Sequence, residues 1–199
     1  MSVWLWLEAL GIAYLLGSIP TAYLAGRLAK GVDIRRVGDG NPGAANVWRE
    51  VGPLPGAVVA LVDVGKGAAA VVLAHALTGS AIGQMLAGGV AVVGHNWSAF
   101  LRLQGGRGAA TALGVLLAVL PRATFPLVAL ALIPFFLTRS LSVSFAFVYI
   151  PLPLLAWWSG ASVGTVVFSI GIPILVGVTH AVRTHHPLPA QGKGIEIVQ

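Results

Sequence analysis

The chain has 199 residues, of which 57% are hydrophobic and only 9% are charged, and its mean hydropathy is +0.89. A soluble domain usually has about 25% charged residues, so this composition excludes a soluble protein and indicates an integral membrane protein. The formal net charge is +6, and the sequence has no cysteine, which excludes disulfides, thiolate catalysis and cysteine metal sites. The length predicts a single transmembrane domain over residues 1–199.

Apolar segments long enough to cross a membrane recur along the chain. An α-helix needs about 20 apolar residues to cross the hydrocarbon core, or fewer where it is tilted or half-buried. We therefore predict an all-α protein, a compact bundle of seven transmembrane helices near residues 3–27, 54–75, 81–101, 108–121, 123–138, 141–158 and 162–180. Small residues on these segments predict close helix packing; they include Gly65, Gly67, Gly88, Gly89, Gly164 and Gly171.

The lysines and arginines lie mainly on one side of this predicted bundle. Ten of the 12 follow odd-numbered spans, namely Arg27, Lys30, Arg35, Arg36, Arg49, Arg102, Arg107, Arg139, Arg183 and Lys193. Arg122 falls on the other side, and Lys66 lies within a span. Basic residues concentrate on the cytoplasmic side of membrane proteins. We therefore expect the N-terminus to lie outside and the C-terminus to lie in the cytoplasm.

The connection after the first span contains a polar glycine-rich segment, residues 38–49. Its start matches G-x-G-x-x-G, but that dinucleotide fingerprint needs a preceding strand and a βαβ unit, and apolar helices flank it here. A helix beginning near Ala44 would place Asn46 and Arg49 on one face, where Arg49 could bind a phosphate with its forked donors. A loop whose glycines only form turns is the alternative. The candidate phosphate-binding residues are Asp39, Gly40, Asn41, Gly43 and Arg49.

A second glycine-rich segment, residues 105–108, directly precedes the fourth predicted span. The first N–H groups of a helix have no partner within the helix, so they favour a bound anion. His95 and Asn96 end the preceding span nearby. His95 is a candidate general base, and an interfacial histidine bonded to the backbone is the alternative. The candidate anion-binding residues are Gly105, Gly106, Arg107, Gly108 and, one turn further, Thr111.

Two opposite charges, Asp63 and Lys66, lie three residues apart inside the second predicted span. This spacing allows an ion pair on one helix face. Charges inside a membrane are costly and often functional. The pair is therefore either part of a site or a structural link between helices.

Common catalytic motifs are missing from the sequence. There is no G-x-S-x-G elbow, no H-x-x-x-x-D and no Walker A motif. The adjacent histidines His185 and His186 lack nearby carboxylates, which makes them weak metal ligands. We expect no metal, no cofactor and no nucleic-acid partner.

Three motifs follow one another in a specific order: Gly38–Val47, then Asp63-x-x-Lys66-Gly67, then Gly94-His95 with Gly105-Gly106-Arg107-Gly108-x-x-Thr111. They resemble the bacterial acyl-phosphate:glycerol-3-phosphate acyltransferase family, clearly over residues 11–115 and by hydropathy elsewhere. The resemblance implies a seven-helix enzyme of the bacterial inner membrane with a cytoplasmic-side site. It implies transfer of a fatty acyl group from acyl phosphate to the 1-hydroxyl of glycerol 3-phosphate, giving lysophosphatidic acid and phosphate in the first step of phospholipid synthesis.

A site that holds two anionic substrates needs several cations and N–H donors, and this suggests roles for individual residues. Arg49, Arg107 and the amides of residues 105–108 would bind glycerol 3-phosphate or the head of the acyl phosphate, and Arg183 is a further candidate for phosphate binding. Asn46, Thr111 and His180 would orient reacting groups, and a substrate phosphate oxygen could take the proton in place of His95. The predicted site lies within one chain, which is compatible with a monomer in contact with membrane lipid.

The sequence departs from the family pattern at four positions. Asp39 replaces a serine, Ala45 a threonine and Arg107 a lysine, and in the tail Arg183 falls where an asparagine is usual. Asp39 would repel a phosphate unless it were protonated or paired with Arg36 or Arg49. A divergent paralogue that binds lipid phosphate with weak activity therefore stays open.

A transporter for a small anion is the non-enzymatic alternative. Glycine-rich breaks and intramembrane charges also occur in transporters. The polar groups here cluster on one face, however, and the two halves of the sequence show no repeat. This pattern favours an interfacial enzyme.

Overall fold

The computed structural model describes residues 3–185, and every regular element within this range is helical. The α-helices are α1 Val3–Ser18, α2 Thr21–Lys30, α3 Ala44–Glu50, α4 Pro53–Thr78, α5 Ala81–Asn96, α6 Ala109–Val119, α7 Pro121–Thr138, α8 Leu141–Tyr149, α9 Leu152–Trp158 and α10 Val163–His185. Short 3-10 turns cover Ile34–Arg36 and Ala99–Leu101. Lys193 and His186, both named above, lie outside the described residues.

Within residues 3–185, five helical segments are long and apolar enough to cross a membrane: Val3–Lys30, Pro53–Thr78, Pro121–Thr138, Leu141–Trp158 and Val163–Arg183. Large apolar side chains such as Leu137, Ile150 and Leu154 are exposed on their outer surfaces, as expected for contact with lipid. The other two predicted spans correspond to α5 and α6, which have 16 and 11 residues. Because 11 residues rise only about 17 Å, α6 is short for a span, and the count of seven stays a prediction.

Proline interrupts two of the predicted spans. The helix expected over residues 3–27 divides into α1 and α2 at Pro20, because proline has no N–H to donate and disfavours helix at the preceding residue. Pro151 separates α8 from α9 in the same way. The third predicted span, 81–101, ends at Asn96 because the chain turns back, and the N–H of Leu103 donates to the carbonyl of Ser98 at 2.8 Å.

Close packing of α1, α4, α5 and α6 builds the centre of the bundle. A Cβ atom at Gly67 of α4 would overlap the carbonyl oxygen of Thr111 in α6, so the two backbones touch. Gly88 is equally constrained by the side chain of Val115. Gly65 and Gly171 face open space, so the packing role predicted for them is not seen.

Helix α10 is joined to the end of α5 by polar contacts. The side-chain amide of Asn96 donates to the hydroxyl of Thr179 at 3.0 Å. The guanidinium of Arg183 donates to the carbonyl oxygens of Gly105 and Asn96. These contacts bring the last turns of α10 beside the second glycine-rich segment.

Candidate active site

Both glycine-rich segments and the end of α10 border one cavity of about 120 Å³, here called the main cavity. Its polar lining consists of Asp39, Asn41, Arg49, Asp63, His95, Arg107, Ser142 and His180. Leu141, Phe145 and Val176 of α8 and α10 give the cavity an apolar wall as well. The fold therefore gathers residues that are far apart in the sequence into one amphipathic site.

Helix α3 begins at Ala44, as the sequence predicts, but Asn46 and Arg49 have different surroundings. Asn46 is fully buried, and its amide nitrogen donates to the carbonyls of Ile34 and Val37 at 3.1 and 3.0 Å. Its oxygen accepts from the N–H of Asp39 at 3.3 Å. Asn46 thus fixes the shape of the loop and does not line the cavity, although the predicted orienting role would place it there. Arg49 does line the cavity.

The carboxylate of Asp39 connects the two glycine-rich segments. Its Oδ2 lies 3.0 Å from Nη2 of Arg49 and 3.5 Å from Nη1 of Arg107. Its Oδ1 accepts from the N–H of Asn41 at 3.1 Å. The pairing with Arg49 is one of the two named above as able to offset the charge of Asp39, and the pairing with Arg107 is additional. Two guanidinium groups that converge on one anionic oxygen form an arrangement that also suits a phosphate.

Two backbone amides of the second glycine-rich segment are bonded within the protein, whereas the sequence analysis expects them to bind an anion. The N–H of Gly105 donates to the carbonyl of Asn96 at 3.2 Å, and that of Gly106 donates to the carbonyl of His95 at 3.0 Å. Both donors are therefore used inside the protein and are not available to an anion. Gly108 has a φ of +79°, which favours glycine, and α6 starts directly after it. The N–H groups that have no partner within their own helix lie instead in the first turn of α6, where Ala109 and Ala110 line the cavity.

Arg107 has spare capacity for a ligand. Its side chain is 21% exposed, and among the described residues its Nε is buried without a hydrogen-bond partner. Buried guanidinium nitrogens without partners are rare in folded proteins and favour a bound anion. Arg107 also lines a second, smaller cavity of about 60 Å³, together with Arg35 and Arg183.

The other two arginines of the smaller cavity are already bonded to the protein. Burial raises the pKa of Asp33, but hydrogen bonds from the side chain and N–H of Arg35 lower it more, so the pKa lies below its ordinary value. Arg35 Nη2 lies 2.7 Å from the carboxylate of Asp33. Arg183, predicted to bind phosphate, instead uses its nitrogens on the carbonyls of Gly105 and Asn96 and thereby holds the glycine segment.

The intramembrane ion pair forms, with Nζ of Lys66 2.8 Å from Oδ1 of Asp63. The same oxygen accepts from the hydroxyl of Thr21 at 2.5 Å and lies 3.7 Å from Nδ1 of His95. The hydroxyl of Thr111 lies 3.1 Å from that Nδ1. Thr21 was not singled out in the sequence, because nothing local shows that the proline break would bring it to α4.

Comparisons with known proteins agree on one family. A family model described as glycerol-3-phosphate acyltransferase matches residues 7–187. Glycerol-3-phosphate acyltransferase 2 of Moorella thermoacetica is 56% identical over 61% of this chain and 62% of its own length. Glycerol-3-phosphate acyltransferase 2 of Dehalococcoides mccartyi (strain ATCC BAA-2266 / KCTC 15142 / 195) is 41% identical over 84% of this chain and 81% of its own length.

Solved structures show the same fold. PlsY, described as an integral membrane glycerol 3-phosphate acyltransferase, matches in its glycerol 3-phosphate form with a TM-score of 0.80, at 34% identity over 90% of both chains. Its lysophosphatidic acid form matches with a TM-score of 0.78, at 32% identity over 90% of both chains. Together with the apolar helices, these matches identify a multi-pass membrane protein of the glycerol-3-phosphate acyltransferase family.

Proposed function

We propose that the protein transfers a fatty acyl group from acyl phosphate to the 1-hydroxyl of glycerol 3-phosphate, giving lysophosphatidic acid and phosphate. The convergence of Arg49 and Arg107 on one cavity with an apolar wall is the observation that best supports this proposal. Two phosphate-bearing substrates require cations, and a fatty acyl chain requires apolar contact. The bound forms of PlsY, with glycerol 3-phosphate and with lysophosphatidic acid, support the acceptor and the product.

The reaction needs no covalent enzyme intermediate, because the acyl phosphate is already activated. The 1-hydroxyl oxygen forms a bond to the acyl carbonyl carbon, and the bond from that carbon to the phosphate oxygen breaks. Arg49, Arg107 and the first N–H groups of α6 hold the two phosphates, and alignment of the reactants supplies much of the rate. His95 is the candidate acceptor of the hydroxyl proton; a phosphate oxygen of a substrate is the alternative.

The site faces the cytoplasm in this proposal, and the membrane is a bacterial inner membrane. The concentration of arginines around the main cavity supports this side, because basic residues favour the cytoplasmic face. The fatty chain lies against Leu141, Phe145 and Val176, between α8 and α10.

Replacing His95 by alanine tests its role as the proton acceptor. Loss of a general base lowers kcat by about 100-fold or more, with smaller changes in KM. Steady-state kinetics of lysophosphatidic acid formation measure both constants. A loss of only a few-fold would assign the proton to a substrate phosphate.

Replacing Asp39 by serine should lower the KM for glycerol 3-phosphate about three- to tenfold, because an exposed carboxylate no longer competes for two guanidinium groups. The measurement is the dependence of the initial rate on glycerol 3-phosphate concentration. Glu8→Gln, which removes a carboxylate from α1 far from the cavity, is the matched control. An unchanged or higher KM would contradict the prediction, and a large gain in kcat would favour the weakly active paralogue.

An assay in lipid vesicles tests the transporter alternative. Purified protein in lipid vesicles is given radiolabelled glycerol 3-phosphate outside, with and without palmitoyl phosphate. The proposal predicts labelled lysophosphatidic acid only when both substrates are present. Label that accumulates inside the vesicles without product would favour transport.

A further inference from the structure

A second large cavity, of about 300 Å³ and here called the distal cavity, lies at the end of the bundle away from the main cavity. Helix α6 begins beside the main cavity and runs away from it, so α7, which follows at once, begins at the other end. The distal cavity lies between the start of α7 and the end of α9, and its lining consists of Arg122, Pro126, Leu155, Trp158 and Ser159. These residues are separate from those of the candidate active site.

The positive charge of the distal cavity comes from Arg122, whose donors are free. Within residues 3–185, its guanidinium makes no hydrogen bond, ion pair or contact with an aromatic ring. Its backbone N–H lies in the first turn of α7, while the next two N–H groups, of Ala123 and Thr124, donate to the carbonyl of Leu120 at 3.2 and 2.9 Å. A guanidinium with five free donors at the positive end of a helix favours a bound anion.

The rest of the distal cavity is mainly apolar and continues onto the surface that faces lipid. Pro126 and Leu155 line it, and Trp158 lines it while 84% exposed. The large side chains of Phe125 and Leu154, next to these residues in the chain, are exposed as well. Tryptophan is enriched where a membrane meets water, at the level of the lipid headgroups. A ligand that fills this cavity therefore needs both an anionic group and an apolar part.

We propose that the distal cavity binds an anionic phospholipid, with the headgroup phosphate on Arg122 and an acyl chain along Leu155 and Trp158. A free anion would leave the apolar lining uncovered, and an uncharged apolar ligand would leave the guanidinium unpaired. A zwitterionic headgroup would bring an ammonium group, and the described residues that line the cavity include no carboxylate to receive it. The lining therefore favours phosphatidylglycerol over phosphatidylethanolamine.

A lipid bound in the distal cavity would hold α7 and α9 together. These two helices are separated in the chain by α8, and α9 continues α8 beyond the break at Pro151. A ligand that binds only the folded protein raises the stability of that state. Phosphatidylglycerol should therefore stabilise the protein through this contact, whether or not acyl transfer takes place at the other end.

Native mass spectrometry of purified, delipidated protein in an uncharged detergent measures the binding directly. We expect one molecule of dioleoyl phosphatidylglycerol to bind about tenfold more tightly than dioleoyl phosphatidylethanolamine, because a charge-assisted bond to the headgroup is not offset by an ammonium group. Arg122→Gln, at an exposed position, should lower the affinity for phosphatidylglycerol about tenfold. Arg139→Gln, which removes an exposed arginine from the opposite end of α7, is the matched control and should keep the wild-type affinity.

Thermal unfolding in the same detergent provides a second measurement. A saturating amount of phosphatidylglycerol should raise the unfolding midpoint by about 5 °C in the wild type and in Arg139→Gln, but not in Arg122→Gln. Sodium phosphate should leave all three midpoints unchanged. Equal affinity of the wild type for the two lipids, unchanged affinity in Arg122→Gln, or an equal midpoint shift with sodium phosphate alone would overturn the inference.

Discussion

Replacing Arg107 by alanine should lower kcat/KM for acyl transfer by about 1,000-fold, because Arg107 is proposed to donate charged hydrogen bonds to a substrate phosphate. Arg107 lines both polar cavities, contacts Asp39 at 3.5 Å, and among the described residues has a buried Nε without a partner. Its guanidinium is therefore placed to bind an anion in these cavities. Initial rates of lysophosphatidic acid formation at several concentrations of each substrate provide the measurement.

Two further variants test whether the loss of activity is specific to the guanidinium group of Arg107. Arg107→Lys keeps the positive charge but loses the forked donors, so we expect a loss of about tenfold. Arg102→Ala removes an exposed arginine from the same connection, outside both cavities, and should leave the rate unchanged. Activity of Arg107→Ala above a tenth of wild type would show that other groups bind the phosphates.

Replacing Gly67 by alanine should destabilise the protein by about 3 kcal/mol, because the added Cβ overlaps the backbone of α6 and cannot be accommodated by a side-chain movement. The contact is with the carbonyl of Thr111, so separation of the helices also displaces a residue that bonds His95. Thermal unfolding of the purified protein in detergent measures the change in midpoint, and the acyl-transfer assay measures the loss of activity.

The matched control lies two residues away on the same helix. A Cβ atom at Gly65 would have no neighbour within 4 Å, so Gly65→Ala changes composition and helix propensity equally without the overlap. We expect its unfolding midpoint to stay at or slightly above that of the wild type. Equal midpoints for the two variants would contradict the packing of α4 against α6 described here.

Composition and the length of the apolar segments were sufficient to predict the helical membrane fold and the location of both glycine-rich segments at the same end of the bundle. Long apolar runs can lie only in the bilayer, and connections after odd-numbered spans return to the same side. The ion pair of Asp63 and Lys66 follows from their spacing on one helix turn. The proline breaks changed the helix boundaries without moving the candidate residues from the site.

The hydrogen-bond partners of the loops could not be predicted in this way. The amides of Gly105 and Gly106 donate to the end of α5, and Asn46 turns back on its own loop. Both outcomes depend on how the chain folds over itself after a helix ends, which side-chain periodicity does not encode. The hydrogen bond from Arg183 to the carbonyl of Gly105 depends on the packing of α10, which lies far from the glycine-rich segment in the sequence.

The choice of acyl donor tests the central claim most directly. Purified protein in a lipid mesophase is given glycerol 3-phosphate with palmitoyl phosphate or, separately, with palmitoyl-CoA, and both phosphate and lysophosphatidic acid are quantified. The account predicts equal amounts of phosphate and lysophosphatidic acid with palmitoyl phosphate, dependence on both substrates, and no product with palmitoyl-CoA. Product formed from palmitoyl-CoA, or phosphate released without glycerol 3-phosphate, would contradict it.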